Sequence, residues 1–211
     1  NIYFFGRIFS VSKREIAEQC PRLYGFSGLG PFKDRLAGKL SGGMKQKLGL
    51  ACCLVHRPEI ILLDEPTNGV DPVSRREFWK ILYELVADGV TIIVSTAYLD
   101  EAERCNNVAM MYDGAFFAAG TPQQIKRMVP YTMCSLLVDN PLRAQCLLSE
   151  SNFCVKASIS GKEVRVFVEN EKSAMKKIET LLRKNDIGII MHKKSIPSLE
   201  DCFLFLIMCI R

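Results

Sequence analysis

Two acids stand side by side after an apolar run, in Ile60-Ile61-Leu62-Leu63-Asp64-Glu65-Pro66. Carboxylates are hard oxygen donors. One can hold a Mg²⁺ ion through its water shell, and its neighbour can orient or deprotonate an attacking water. A second group lies upstream, Ser41-Gly42-Gly43 before Met44. Two glycines let a backbone approach a ligand closely. A helix start adds unpaired N–H groups at the positive end of a dipole, which suits a phosphate. The same three residues also fit a plain helix cap. A third piece, Asn68-Gly69-Val70-Asp71-Pro72, reads as a turn and then a helix start with Pro72 at the first position.

The elements that must position these residues can be read from spacing. Leu48, Ala51, Cys52 and Val55 recur at helical intervals and predict a helix over 45–55. Residues 60–63 are apolar without alternation, which predicts a strand buried on both faces, as in a parallel sheet. Asp64 and Glu65 then sit at its C-terminal end, where open α/β sheets bind ligands. After Pro72, the stripe Phe78, Ile81, Leu82 and Leu85 marks a buried helix face, and Gly89 ends that helix. Residues 90–95 form a second apolar strand, and a short helix is expected over 99–105.

Leu40-Ser41-Gly42-Gly43-Met44 is similar to the signature loop of the ATP-binding-cassette (ABC) ATPases. Ile60 to Glu65 is similar to their Walker B strand with its catalytic glutamate, and Asn68-Gly69-Val70-Asp71 to their D-loop. Order and spacing match as well. The stretch from Leu40 to Pro72 most resembles cassettes that drive ABC-2-type exporters. The resemblance covers roughly residues 1–129 and, more loosely, the tail to 206.

This resemblance implies an α/β fold. Residues 1–130 would be a partial P-loop NTPase (ABC cassette), a parallel sheet with helices, and 131–211 a smaller extension. It implies ATP and Mg²⁺ as cofactors. Ser41, Gly42 and Gly43 would contact the γ-phosphate held by a partner's phosphate loop. Asp64 would hold Mg²⁺ through water, Glu65 would be the general base, and Asp71 would link the two sites of a head-to-tail pair. Implied partners are transmembrane permease subunits and a second cassette, in a homodimer, a heterodimer or the same chain. The implied location is cytoplasmic, peripheral at the inner or plasma membrane.

Composition sets bounds around that reading. The chain has 211 residues, 48% hydrophobic and 24% charged, an ordinary globular balance for one large or two small domains. A net charge of +5 is mild and does not call for nucleic acid. Nine cysteines contain no Cys-x-x-Cys pair, so reduced, mostly buried thiols are expected rather than disulfides or zinc. The longest apolar run, 202–210, is far short of the roughly 20 residues a membrane-spanning helix needs.

Other signals place the remaining elements. Residues 1–9 read as the end of an aromatic-rich helix, which suggests a natural start upstream. Ser12-Lys13-Arg14-Glu15 is a capping box, opening a helix expected to run to about 20–23. Residues 25–39 read as loop with a helical piece near 32–36. Asp113-Gly114 centres a hairpin of 108–112 with 115–119, and Thr121-Pro122-Gln123-Gln124 is another capped start.

From Tyr131 the texture changes. A strand over 131–138 and a helix over 141–149 precede an alternating strand over 153–159, with Phe153, Val155, Ala157 and Ile159 on one face. Val164, Val166 and Val168 alternate after the Ser160-Gly161 turn. Met175, Ile178, Leu181 and Leu182 make a helical stripe, and 187–191 a last strand. The order βαββαβ suggests a ferredoxin-like α+β domain. RNA binding on such a sheet needs exposed aromatics for stacking, and its third strand offers only Phe167. Pro197-Ser198-Leu199-Glu200-Asp201 opens the final helix and is similar to the "SLED" segment that closes exporter cassettes.

Two departures from the family pattern stand out. The sequence has no Gly-x-x-x-x-Gly-Lys-Ser/Thr phosphate loop, and no glutamine in a Q-loop context, since Gln46 and Gln123 lie elsewhere. Truncation upstream of Asn1 is the expected cause, and the chain alone is expected to be inactive. Ala97 stands where the family places a histidine that contacts the γ-phosphate and the attacking water. Losing one such donor costs on the order of 3–4 kcal/mol, a rate factor of roughly 10²–10³. His56 and His192 are expected to be structural or solvated. Two alternative readings remain, a soluble ABC protein acting on ribosomes or DNA, and a non-catalytic regulatory cassette.

Overall fold

The Ser12 hydroxyl accepts the Glu15 N–H, and the Glu15 carboxylate accepts the Ser12 N–H. This reciprocal cap starts the first long helix, as the sequence predicts. The computed structural model describes residues 1–208, so the end of the 202–210 run lies outside the described residues. Two compact units are present, Asn1–Ala97 and Tyr98–Arg211. Among the described residues, no helix is long and apolar enough to cross a membrane.

The first unit holds α1 (Ile2–Ile8), α2 (Lys13–Ser27), α3 (Gly42–Leu54), β1 (Ile60–Asp64), α4 (Pro72–Ala87) and β2 (Thr91–Ser95). Helix α2 runs past the expected end near 20–23. Pro21 removes one ladder hydrogen bond, but Leu23 and Ser27 are buried beyond it and Gly28 caps the helix at φ +67°. The helical piece expected near 32–36 is absent. Two 3₁₀ turns, Gly30–Phe32 and Ala37–Lys39, take its place. Phe78, Trp79, Ile81, Leu82 and Leu85 form the buried face of α4.

Strands β1 and β2 are parallel and in register from Ile60↔Thr91 to Asp64↔Ser95. The parallel pairing agrees with the sequence, but burial on both faces does not. Ile61 is buried, whereas Leu62 is 74% exposed and Ile60 and Ile93 are also bare. The sheet has two strands among the described residues, and α4 packs on one side of it.

The second unit opens with α5 (Leu99–Ala102), the antiparallel hairpin β3 (Val108–Tyr112) and β4 (Ala115–Gly120), and α6 (Pro122–Arg127). Asp113 and Gly114 both have positive φ, as a two-residue hairpin turn requires. Then come β5 (Thr132–Val138), α7 (Pro141–Ser149), β6 (Lys156–Ser160), β7 (Glu163–Val168), α8 (Glu171–Lys184), β8 (Ile189–Ser195) and α9 (Leu199–Met208). The four-stranded sheet has the order β6-β7-β5-β8, all antiparallel, which is the ferredoxin-like arrangement. Leu148 of α7 and Ile178 and Leu182 of α8 share a core with Leu136, Val164, Val166 and Val168 of the sheet.

Two strands differ from expectation. Strand β6 begins at Lys156 rather than 153, and Val155 and Ile159 are exposed although Ala157 is buried. The last strand is β8, which runs on through His192, Lys193 and Lys194 because β5 pairs with it to Ser195. The boundary between the units also falls earlier than the texture change at 131. Met110, Ala118 and Ile125 share a core with Leu199, Cys202 and Phe205, so the hairpin and α6 cluster with α9.

Candidate nucleotide site

The acid pair stands at the C-terminal end of β1, and both side chains are exposed. Asp64 Oδ1 accepts the hydroxyl of Ser95, its register partner on β2. The Glu65 N–H donates to the Ser95 carbonyl oxygen at 3.0 Å and to Ser95 Oγ at 3.1 Å. Glu65 then turns out of the strand at φ +43°. This is left-handed backbone on a non-glycine residue, a strain on the order of 1 kcal/mol that clusters at functional sites. Asn68 Nδ2 donates to Glu65 Oε2 at 2.9 Å, and the Asn68 N–H returns to the Glu65 carbonyl at 3.1 Å. Pro66 and Thr67 beneath are buried and hold the turn.

The Ser-Gly-Gly turn is a cap, and its two glycines differ in role. Ser41 Oγ accepts the Met44 N–H at 3.3 Å, so α3 starts at Gly42, earlier than the expected 45. The first helical bond runs from the Lys45 N–H to the Ser41 carbonyl. The Gly42 and Gly43 N–H groups precede it, which leaves them as the open donors of a helix start. Gly42 has room around it. A Cβ on Gly43 would lie 2.5 Å from the Ser74 Cβ of α4, so close helix packing demands that glycine.

Asp71 is the N-cap of α4. Its carboxylate accepts the Val73 and Ser74 N–H groups at 3.0 and 2.9 Å. Bonds from Ser74, backbone first and then hydroxyl, hold its pKa below the usual carboxylate value. The D-loop and the signature turn are neighbours, since a Gly42 Cβ would lie 3.6 Å from the Gly69 carbonyl oxygen. The six residues singled out from sequence therefore fall in two groups: Asp64 with Glu65, and Ser41, Gly42 and Gly43 beside the turn that ends at Asp71.

Ala97 comes just after β2 and is exposed, with no side-chain donor to offer. The hydrogen-bond partners of the acid pair are Ser95 and Asn68 rather than His56, the histidine of the same unit. His56 stacks on Phe9, with ring centroids 3.9 Å apart, and His192 lies exposed on β8. The eight described cysteines are free thiols, five of them buried, and burial pushes Cys52, Cys154 and Cys202 up to about 11. No group of three or more His, Cys, Asp or Glu side chains able to hold a metal occurs among the described residues. A lone exposed carboxylate does fit Mg²⁺, which keeps several waters and takes further oxygens from bound phosphates.

Sequence reasoning missed Ser95 and Asn68 as members of the site. A signal was available for Ser95. Thr91-Ile92-Ile93-Val94-Ser95 matches Ile60-Ile61-Leu62-Leu63-Asp64 in length and ends, like it, in a polar residue.

Comparison with known proteins bears on this arrangement. The family model described as "ABC transporter" matches residues 7–68, from the first helices through the acid pair to Asn68. The probable multidrug ABC transporter ATP-binding protein YbhF of Escherichia coli (strain K12) is 38% identical over 98% of this chain and 36% of its own length. The Nod factor export ATP-binding protein I of Rhizobium sp. (strain N33) is 32% identical over 97% of this chain and 65% of its own length. The chain thus spans about a third of the first and just under two thirds of the second. Among solved structures, cbiO1 from Clostridium perfringens, part of the ABC transporter complex cbiONQ, superposes with a TM-score of 0.54 at 30% identity, over 61% of this chain and 55% of that one. With the signature turn, the strand-end acids and the D-loop in family order, the chain belongs to the ABC ATPases, in their nucleotide-binding domain.

Proposed function

We propose that this chain is the ATP-binding part, a subunit or one half, of an ABC-2-type exporter that couples ATP binding and hydrolysis to transport by membrane partners. The observation that carries the reading is the acid pair, set by Ser95 and Asn68 at the end of a parallel strand. The names of the two relatives, a multidrug transporter component and a Nod factor export component, support export as the coupled process.

Within that reading, Asp64 holds Mg²⁺ through water, and the ion supplies positive charge to the phosphates. Glu65 accepts a proton from the attacking water. The open N–H groups of Gly42 and Gly43, with Ser41 beside them, bind the γ-phosphate of nucleotide seated on a second cassette. Asp71 fixes the start of α4 and so the D-loop that faces the partner. The second cassette belongs to a homodimer, a heterodimer or the same chain. Permease subunits place the assembly at the cytoplasmic side of the inner or plasma membrane. Residues 1–130 serve as the cassette and 131–211 as the extension, and the chain alone, without a phosphate loop, is inactive.

A second reading has its own observation. Ala97 offers no donor to the γ-phosphate, which suits one half of an asymmetric pair or a regulatory cassette. Replacing Glu65 with Gln in the full-length protein separates the two. The export-ATPase reading expects turnover to fall at least 100-fold while ATP binding stays within a few-fold, a loss typical of removing a general base. Unchanged turnover at the site Glu65 lines would leave the regulatory reading standing.

A further inference from the structure

We propose that Ser95 is a positioning residue for the acid pair and sets the direction of both carboxylates at once. The proposal rests on the reading of Glu65 as the general base. Strands β1 and β2 are five residues each and in register, so Asp64 and Ser95 are the last pair of the ladder. At that pair the Ser95 hydroxyl has two duties. It donates to Asp64 Oδ1 and accepts the Glu65 N–H at 3.1 Å. One hydroxyl therefore bridges the side chain of the first acid and the backbone of the second.

Only a group that both donates and accepts can make that bridge. Ser and Thr qualify, whereas Ala and Val do not. The bridge matters because the chain bends sharply at its far end. Glu65 leaves the strand at φ +43°, a conformation that persists only where neighbours fix it. Its N–H is held by Ser95 on one side, and its carboxylate by Asn68 on the other. Removing the hydroxyl leaves the Glu65 N–H with the Ser95 carbonyl alone and frees the Asp64 carboxylate to rotate.

The test uses the full-length protein with its cassette partner, at saturating Mg²⁺. Ser95→Ala and Ser95→Val lower kcat by about 10–100-fold, the range of one hydrogen bond to a charged group, with KM for ATP within about threefold. Ser95→Thr, which has the shape of the Val variant and keeps the hydroxyl, retains parental kcat. A readout other than turnover is Mn²⁺ bound with ATP, monitored by electron paramagnetic resonance. Its affinity drops by about tenfold or more in the Ala and Val variants, as losing an outer-shell partner of a ligand does, and is kept in Thr. Parental kcat and Mn²⁺ affinity in Ser95→Val overturn the proposal. So does failure of Ala and Val to fold while Thr folds, because the hydroxyl would then serve folding. Glu65→Gln run in parallel separates the levels. If it leaves turnover intact, the general-base reading falls; if it abolishes turnover while Ser95→Val changes nothing, only the role of Ser95 falls.

Discussion

Arg165 Nη1 donates to Asp201 Oδ2 at 3.1 Å, which ties helix α9 to strand β7 on the sheet face opposite α7 and α8. The same carboxylate oxygen accepts the Ser198 N–H at 2.9 Å and the Ser198 hydroxyl at 2.7 Å. Asp201 thus caps its own helix and anchors it, while Phe205 of that helix covers Phe167, ring centroids 5.9 Å apart. Asp201→Ala should cost the chain about 2–3 kcal/mol, because a mostly buried guanidinium and a helix start both lose their partner. Urea unfolding of the parent and variant chains measures it. A difference under about 0.5 kcal/mol would mean that the pair is a spectator, as exposed ion pairs often are.

Gly43→Ala should destabilise the chain by about 1–3 kcal/mol, the usual cost of forcing a methyl into a closed contact. Its new Cβ would meet the Ser74 Cβ at 2.5 Å. Gly42→Ala, one residue earlier, should be neutral, because its Cβ would meet only the Gly69 carbonyl oxygen at an ordinary contact of 3.6 Å. Adding Ser74→Gly to the Gly43 variant should recover most of the loss, since it removes the atom that is struck. Thermal midpoints of the four proteins decide, and equal losses at 42 and 43 would show that packing against α4 is not the cause.

Ala97→His in the full-length protein should raise hydrolysis at the site this chain lines. The ceiling is the factor of roughly 10²–10³ that one transition-state donor is worth. Single-turnover rates with radiolabelled ATP measure it without interference from product release. A variant that binds ATP normally and turns over no faster would mean that another group already supplies the contact.

Stability should depend on pH through Asp71. Its folded pKa lies below the ordinary value because Ser74 and Val73 donate to the carboxylate. A carboxylate depressed in the folded state stabilises fully above its unfolded pKa, near 4. That contribution disappears as pH falls through the lower folded value. Asp71→Asn keeps a capping oxygen but has no proton to gain. The gap between parent and Asn variant in denaturation midpoint should therefore shrink or reverse between about pH 6 and pH 2. A gap constant across that range rules Asp71 out as a contributor to acid sensitivity.

Much of this was legible because the signals are local. The Asp113-Gly114 turn, the Ser12 and Thr121 capping boxes and the valine alternation at 164, 166 and 168 each depend on neighbours a few residues away, and each appears where expected. The Leu40 to Asp71 stretch was legible for a different reason, its fixed residue types and spacing. The failures have tertiary causes. Nothing near Pro21 announces that buried Leu23 and Ser27 will carry α2 onward. Residues 60–63 are apolar enough for two covered faces, but only one is covered among the described residues. The sequence counts Phe167 as too little for an RNA-binding sheet but does not show what covers it: it is 1% exposed and packs on Phe205, thirty-eight positions along the chain. Ser95 joined the site only once the register of two strands was known.

The glycine at position 43 has a mechanical consequence. With no side chain of its own, Gly43 lets the α3 backbone settle against the Ser74 side chain of α4, and Lys47 Nζ grips Glu77 Oε2 at 2.5 Å, a second tie between the same two helices. Ser41 and Asp71 are the caps of those two helices, set at the same end of a stiff beam. In the proposed pair of cassettes, the Ser41-Gly42-Gly43 turn and the loop ending at Asp71 would therefore arrive together, as one stroke rather than two.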